Sequence, residues 1–537
     1  MTRVADTVAR GLAVAGVRHA FGMPGGEVVT LVDALAEAGI RFILARHETA
    51  AAIMAAGAAA VTGAPGLLVT TLGPGLANAV NGIADAAQER APLLVISGVV
   101  ERGIRGRYTH QILDHAALLR PLVKASFEIE ADGAAAVVAR AIALAMAPPC
   151  GPVHLDLSPA VAAAPDQLPR PSTVTAPAAS PGIDPADPAI ADIRRLVTTS
   201  RRPVLVAGFE AARTGAVDAL TQIADRYGIP MLTTYKAKGV VDERHPAALG
   251  AAGLSPAADR ILLDLLARAD LVLLAGYDPI EMRQGWLEPF PAAAHVVELT
   301  AAPPDHGMHR VDQRLLGPVG ELLNAIFVDL LPRRLWPEGE PGAARAKLAA
   351  RFAGPDGWGP HGVFRELAAT LPLDTTLTVD SGAHRILFSQ MWQARWPLEV
   401  LQSAGFCTMN AALPLAIGVQ AAEPGRTVVA VLGDGGLEMG LGELGTLRDE
   451  GLRVILVVLQ DESLALIELK QRQAGLPQLG VRLGRTDLPA VARAFGGEGS
   501  EVASTDELRE ALLEALAAPG FSLIACRIRA DSYVDAF

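Results

Sequence analysis

The chain has 537 residues, of which 51% are apolar and 19% charged, and carries a net charge of −12. That length exceeds one hydrophobic core and points to about three domains, while the acidic balance argues against non-specific nucleic-acid binding. Much of the apolar content is alanine and no apolar run reaches about 18 residues without polar interruption, so no transmembrane helix and no membrane partner is expected.

The chain opens with MTRVADTVARGLAVAGV, which reads as an amphipathic helix and lacks the apolar core and cleavage site of a secretory signal. Cys150, Cys407 and Cys526 are widely spaced. They form neither a metal-binding spacing nor a disulfide framework, which fits a reducing cytoplasm. Residues 21–26 read FGMPGG, followed by Glu27. Residues 46–48 read RHE and lead into a small-residue helix, ETAAAIMAAGAAAVTG. A glutamate after an arginine and a histidine is ordinarily a solvated helix end, but these neighbours offer Glu48 a partly apolar pocket. TLGPGLANA (71–79) and THQILDH (109–115, with His110 and Gln111) follow.

Residues 160–190 are rich in Pro and Ala without apolar period and read as a linker. Beyond it RPVLVAGFEAA, IPMLTTY, ADLVLLAGYDP and AHVVELT predict four short buried strands separated by helical stretches. A second, weaker break is expected over 332–360, with PRRLWPEGEPGAARAK and GPDGWGP. The resulting units, 1–165, 185–335 and 360–537, all read as α/β with parallel sheets.

The last unit holds the most informative stretch, VVAVLGDGGLEMGLGELGTLRDEGLRVILVVLQD (428–461). The apolar run VVAVL predicts a buried parallel strand leading into Gly433-Asp434-Gly435-Gly436. A helix and a second run, VILVVL, end at Gln460-Asp461. Adjacent parallel strands would bring Asp434 and Asp461 to one carboxyl edge, where open α/β sheets bind ligands. Two carboxylates beside exposed backbone N–H groups suit a divalent metal holding a diphosphate. A dinucleotide loop fails its own pattern at Glu438, which stands where Gly or Ala is needed. A mere capping role for Asp434 leaves Asp461 unexplained.

The GDG run with polar residues near the end of the following strand resembles the thiamine diphosphate signature of the acetolactate synthase, pyruvate oxidase and benzaldehyde lyase-like family. FGMPGG, RHE, TLGPGLANA and DSGAHRILFSQMW…LQSAGFCTMNAALPLAIG (380–418) are similar to further motifs of that family, in order along nearly the whole chain. The resemblance implies three doubly wound parallel-sheet domains: pyrimidine-binding, central and diphosphate-binding. It also implies Mg²⁺ on Asp434, Asp461 and the carbonyl of Ser463, although the family usually has Asn-Asn where this chain has Gln460-Asp461. Asp is the better hard-cation ligand.

By the same resemblance Glu48 bonds the aminopyrimidine ring, so that the cofactor's own amino nitrogen takes the thiazolium C2 proton. Met409 wedges the cofactor into a bent form, and Ser381, Gly382 and His384 contact the diphosphate. Cys407, Gly433, Gly435, Gly436, Leu464 and Ile467 complete the expected cofactor site. On the substrate side, Glu27 lies over the thiazolium and His110 and Gln111 orient a 2-oxo acid. Lys470 stands where the synthases carry a Trp, and offers a cation to a substrate carboxylate. The segment GYDPIEMRQG lacks the Arg-Phe-Asp-Asp-Arg run of flavin-binding members, so FAD is possible but not favoured.

The implied activity is decarboxylation of a 2-oxo acid followed by ligation to a second carbonyl compound. The alternatives are a decarboxylase releasing an aldehyde, a benzaldehyde lyase-like acyloin lyase, and a paralogue without turnover. The last would be expected to lack Glu48 or Asp434, and both are present. The family builds its site between subunits, which implies a homodimer or homotetramer.

Overall fold

β-branched and leucine-rich runs pair into three six-stranded sheets, every registered pair parallel. The computed structural model describes residues 2–166, 183–534 and 536. The first sheet contains β1 (His19–Met23), β2 (Arg41–Leu44), β3 (Gly66–Thr70), β4 (Leu93–Gly98), β5 (Ser126–Glu128) and β6 (Val153–Leu157), in the order β2-β1-β3-β4-β6-β5. The second contains β7 (Pro203–Ala207), β8 (Met231–Thr233), β9 (Ala248–Ala251), β10 (Leu271–Ala275), β11 (His295–Thr300) and β12 (Gln313–Leu316), in the order β12-β11-β10-β7-β8-β9. The third contains β13 (Thr376–Val379), β14 (Val400–Gln402), β15 (Val428–Gly433), β16 (Val454–Gln460), β17 (Glu498–Val502) and β18 (Ser522–Arg527), in the order β14-β13-β15-β16-β18-β17. Helices flank all three sheets, the α/β class the residue pattern implies.

The outer sheets share one strand order. The middle sheet, read from its β9 edge, follows the 3-2-1-4-5-6 order of doubly wound nucleotide folds, with its switch point between β7 and β10. The expectation of four central strands omits β9 (ALGA) and β12 (QRLL), whose short sequences carry no apolar β signal. Within the second expected break, Glu340–Phe352 forms a helix that buries Ala344, Leu348 and Phe352. Of the 160–190 linker, residues 167–182 lie outside the described residues. Its ends carry the short helix Pro159–Ala163 and the start of the helix Pro188–Thr199.

The first and third units meet through two helices with almost no polar face, Glu48–Thr62 and Ala412–Ala422. Their glycines permit close approach. A Cβ on Gly57 would lie 2.6 Å from the Leu415 carbonyl oxygen, and one on Gly418 would lie 2.0 Å from that of Met54. One apolar core therefore runs from Met54 and Ile83 through Ile417 to Val458.

Candidate functional site

The register pairs Gly433 of β15 with Leu459 of β16, so both strands release their chain at the same edge. Asp434 begins the helical turn after β15 and is buried. Its Oδ1 accepts the Gly435 N–H at 2.8 Å and its Oδ2 the Glu462 N–H at 2.7 Å. The Ser463 N–H donates to Asp461 Oδ1 at 3.0 Å. Between the two, Glu462 takes a φ of +56°, a left-handed conformation disfavoured for a side-chain-bearing residue and concentrated at functional turns. Burial raises both acids above the usual carboxylate range, and burial together with the Asp434 charge pushes Asp461 to about 8. Two partly dried carboxylates side by side are stabilised by a divalent cation, which offsets the cost of burying their charge.

Behind this pair lies a set of donors. Ser381 and Gly382 follow β13, and His384 sits in the first turn of the helix Ala383–Met391. Ser381 Oγ and His384 Nε2 are buried and have no hydrogen-bond partner among the described residues. Burial, then the neighbouring Arg385, pushes His384 down to about 3, so its ring stays neutral. A diphosphate offers the acceptor oxygens these groups lack. Asp380 is fully buried, accepts the N–H groups of Asn410 (3.0 Å) and Ala411 (2.8 Å), and is lifted by burial to about 6. A Cβ on Gly436 would sit 2.0 Å from Asp380 Oδ2, which is why the second glycine after Asp434 bears no side chain. The residues present therefore fit thiamine diphosphate with a divalent ion.

Ser381, Gly382, His384, Cys407, Met409, Gly433, Asp434, Gly435, Gly436, Asp461, Ser463, Leu464 and Ile467 all line one cavity of about 260 Å³. Arg283, Arg385 and Tyr533 line it too, and sequence reasoning missed them. Arg283 comes from the segment GYDPIEMRQG, noted only for what it lacks. Tyr533 stands on a turn near the C-terminus with no motif around it.

The first unit presents a second cluster. Glu48 is the first residue of its helix, and His47 caps that helix by accepting the Thr49 N–H at 3.1 Å. Glu48 is 4% exposed and accepts from Asn78 Nδ2 at 3.1 Å. A Cβ on Gly75 would lie 3.3 Å from its other oxygen. Thr71 Oγ1 donates to Glu27 Oε2 at 2.6 Å, so the 71–78 segment holds both carboxylates. His110 and Gln111 are exposed on a neighbouring loop, with the Gln111 φ at +56° and its carbonyl against Gly73. Glu27, Glu48, His110 and Gln111 do not border the cavity that holds Asp434 within one chain, and neither does exposed Lys470 on the helix Ala465–Gln473.

Comparison with known proteins agrees along the chain. The families described as thiamine pyrophosphate enzyme N-terminal TPP binding domain, central domain and C-terminal TPP binding domain match residues 2–118, 190–326 and 380–526. An acetolactate synthase of Bacillus subtilis (strain 168) is 30% identical over 96% of this chain and 92% of its own. A probable acetolactate synthase large subunit of Methanocaldococcus jannaschii is 28% identical over 95% of this chain and 89% of its own. The large subunit of acetolactate synthase isozyme 1 of Escherichia coli (strain K12) is 28% identical over 99% of this chain and 94% of its own.

Proposed function

We propose, on the premise that this chain belongs to the thiamine pyrophosphate-dependent, acetolactate synthase-like family, that Asp434, Asp461 and the Ser463 carbonyl hold Mg²⁺ against the cofactor's diphosphate. The chain is a thiamine pyrophosphate-dependent carboligase of the acetolactate synthase type, and the aldehyde-releasing and acyloin-cleaving alternatives are not favoured. Its donor is a 2-oxo acid, pyruvate first among them given the relatives' names, and its acceptor is a second carbonyl compound. The observation that carries this reading is one cavity where the buried Asp434 and the half-buried Asp461 stand with two unpartnered donors, Ser381 Oγ and His384 Nε2.

When bound, thiamine diphosphate supplies an acidic carbon that serves as nucleophile and electron sink. Everything else falls to the chain. Ser381 and His384 donate to diphosphate oxygens, with the glycines Gly433, Gly435 and Gly436 leaving room for the group beside them. Met409, Leu464, Ile467 and Cys407 give the cavity walls that orient the rings and exclude water. Glu48 holds a proton against the aminopyrimidine nitrogen, and Glu27 moves one near the reacting carbon. His110 and Gln111 orient the 2-oxo acid. Arg283 at the cavity wall, and Lys470 on the neighbouring helix, are the cations for its carboxylate.

Because Glu48 does not border the cavity that holds Asp434 within one chain, the working unit is read as a homodimer or homotetramer with sites between subunits. Its functional units are 1–165, 185–335 and 360–537. Flavin is not favoured in this reading, because the segment GYDPIEMRQG (276–285) lacks the Arg-Phe-Asp-Asp-Arg run of flavin-binding members. Three free cysteines suit a cytoplasmic setting, and none of the described helices is long and apolar enough to cross a membrane. The deciding test is product analysis by mass spectrometry. Pyruvate, glyoxylate and aromatic 2-oxo acids are each incubated with Mg²⁺ and thiamine diphosphate, with and without an added aldehyde. A ligated 2-hydroxy-3-oxo acid from pyruvate supports the reading; free aldehyde as the only product overturns it.

A further inference from the structure

The loop 301–312 joins β11 to β12 and carries His306-Gly307-Met308-His309. Beside it stands Glu298 of β11, which is completely buried. Its Oε2 is held by Arg314, its register partner on β12. Its Oε1 has no hydrogen-bond partner among the described residues, nor has His306 Nε2, nor either ring nitrogen of His309. One carboxylate oxygen and one ring nitrogen from each histidine lie within 4.8 Å of one another. The two imidazoles have centroids 4.6 Å apart, and His309 packs against Phe290 and Tyr277 at 5.3 and 5.5 Å. Burial, then the charges of His306 and Arg314, push His309 down to about 4, so its ring is neutral with a free lone pair at neutral pH.

Buried polar atoms are normally bonded, and a cluster of three side chains with four unbonded atoms between them needs an explanation. A bridging water would satisfy part of the cluster, but two imidazoles and a carboxylate at this spacing are also a ligand set. We propose that Glu298, His306 and His309 bind a divalent transition ion of the zinc class, which pins the 301–312 loop to the central sheet. Mixed nitrogen and oxygen donors favour such an ion over Mg²⁺, which prefers oxygen alone. Three protein ligands leave a fourth position for water. The Met308 N–H donates to His306 Nδ1 at 3.2 Å. Coordination through Nε2 therefore shifts the ring proton to Nδ1 and gives up that long contact. The ion would stiffen one wall of a cleft of about 370 Å³ at the switch point of the central sheet, lined by Tyr277, Thr300, Ala302 and Asp305 among others. This site shares no residue with the oxygen-only pair Asp434 and Asp461, and it does not depend on the function proposed above.

The test uses the full-length protein, stripped with EDTA and then saturated with Mg²⁺ and thiamine diphosphate, so that the oxygen site is filled. Zn²⁺ or Co²⁺ is added, and metal per chain is measured after gel filtration. Visible absorption of the Co²⁺ form reports the ligand field. We expect about one ion per chain, Co²⁺ bands of a low-coordinate nitrogen and oxygen site, and at least a hundredfold weaker binding in His306→Ala and His309→Phe. The phenylalanine keeps the aromatic packing around position 309, and circular dichroism of the metal-free variants controls for folding. Wild-type protein that retains no ion under these conditions, or both folded variants binding as tightly as wild type, overturns the proposal.

Discussion

Glu462 donates its backbone N–H to Asp434 Oδ2 at 2.7 Å, so the turn that carries Asp461 hangs from the carboxylate at the end of the neighbouring strand. One acid thus serves the position of the other. The left-handed φ of Glu462 shapes the same turn.

Asp434→Ala removes a charge and the anchor of that turn. Mg²⁺-dependent binding of thiamine diphosphate should fall by about two orders of magnitude or more, since a diphosphate loses its bridging cation. Asp434→Asn keeps an acceptor for the turn and should lose less. Calorimetric titration of cofactor, with Mg²⁺ and again with EDTA, measures both. Undiminished Mg²⁺-dependent affinity in the alanine variant would refute the assignment.

Glu48→Gln keeps the size of a buried side chain and an acceptor for Asn78, so folding and cofactor affinity should persist. Hydrogen exchange at the cofactor's reactive carbon should slow by about 10²–10⁴-fold, the usual reach of a positioned acid or base. Quenched-flow exchange followed by NMR decides it. Exchange at the wild-type rate would remove Glu48 from the site.

Subunit mixing tests where the site is assembled. Glu48→Gln and Asp434→Ala chains are each expected to be inactive alone. Hybrid dimers would contain one site with both residues intact, so activity should return in part after exchange verified by mass spectrometry. No recovery in verified hybrids would place the site inside one chain.

Gly436→Ala pushes a methyl group into Asp380, which is immobilised by two backbone amides. Overpacking of this kind costs about 1–3 kcal/mol, and the shift of Asp380 should also disturb Asn410 and the cavity wall. Denaturant unfolding combined with cofactor titration should show both losses. Gly435→Ala is the control for the unfolding measurement alone, because its added Cβ meets only the ends of the Leu464 and Leu483 side chains at 3.1 Å.

Asp85 supplies a pH signature remote from the metal ligands. Burial first, then the charge of Glu89, lifts it to about 7, against hydrogen bonds from Ser403 and Thr408 and the nearby Lys236. Its folded value lies above the unfolded one, so the folded chain binds the extra proton between about pH 4 and 7. Stability from this group is full below that window and falls as pH rises through it. Asp85→Asn should flatten the dependence, seen as a smaller drop in Tm between pH 5 and 8 than wild type shows. Equal slopes for both proteins would contradict the assignment.

The residues proposed to hold the diphosphate were legible as a group in the sequence because each follows directly on a buried strand or lies in a short motif, and they line one cavity. Ser381 through His384 follow β13, Asp434 follows β15 and Asp461 follows β16, so local pattern and sheet order together place them. Arg283 and Tyr533 reach the same cavity from distant segments, by tertiary packing that no local period records. The strands β9 and β12 escaped because ALGA and QRLL lack β-branched residues, and the helix Glu340–Phe352 because Pro and Gly flank and enter it. The pair His306 and His309 drew no attention, since two histidines in a loop gain meaning only when Glu298 is seen beneath them.

The shared order of the outer sheets reaches beyond topology. In each, the helix that follows the second strand in sequence and leads to the third is the one that meets its counterpart: Glu48–Thr62 from one side, Ala412–Ala422 from the other. The contacts are reciprocal, Gly57 on Leu415 and Gly418 on Met54. The two units are thus related by an internal pseudo-dyad, and a single polypeptide contains the interface of a symmetric pair. Only one unit of the pair carries the carboxylates at the strand ends, and only the other carries Glu48 at the helix start. The symmetry has been kept in the scaffold and broken in the chemistry, and an enlarged residue at either glycine should disturb both units at once.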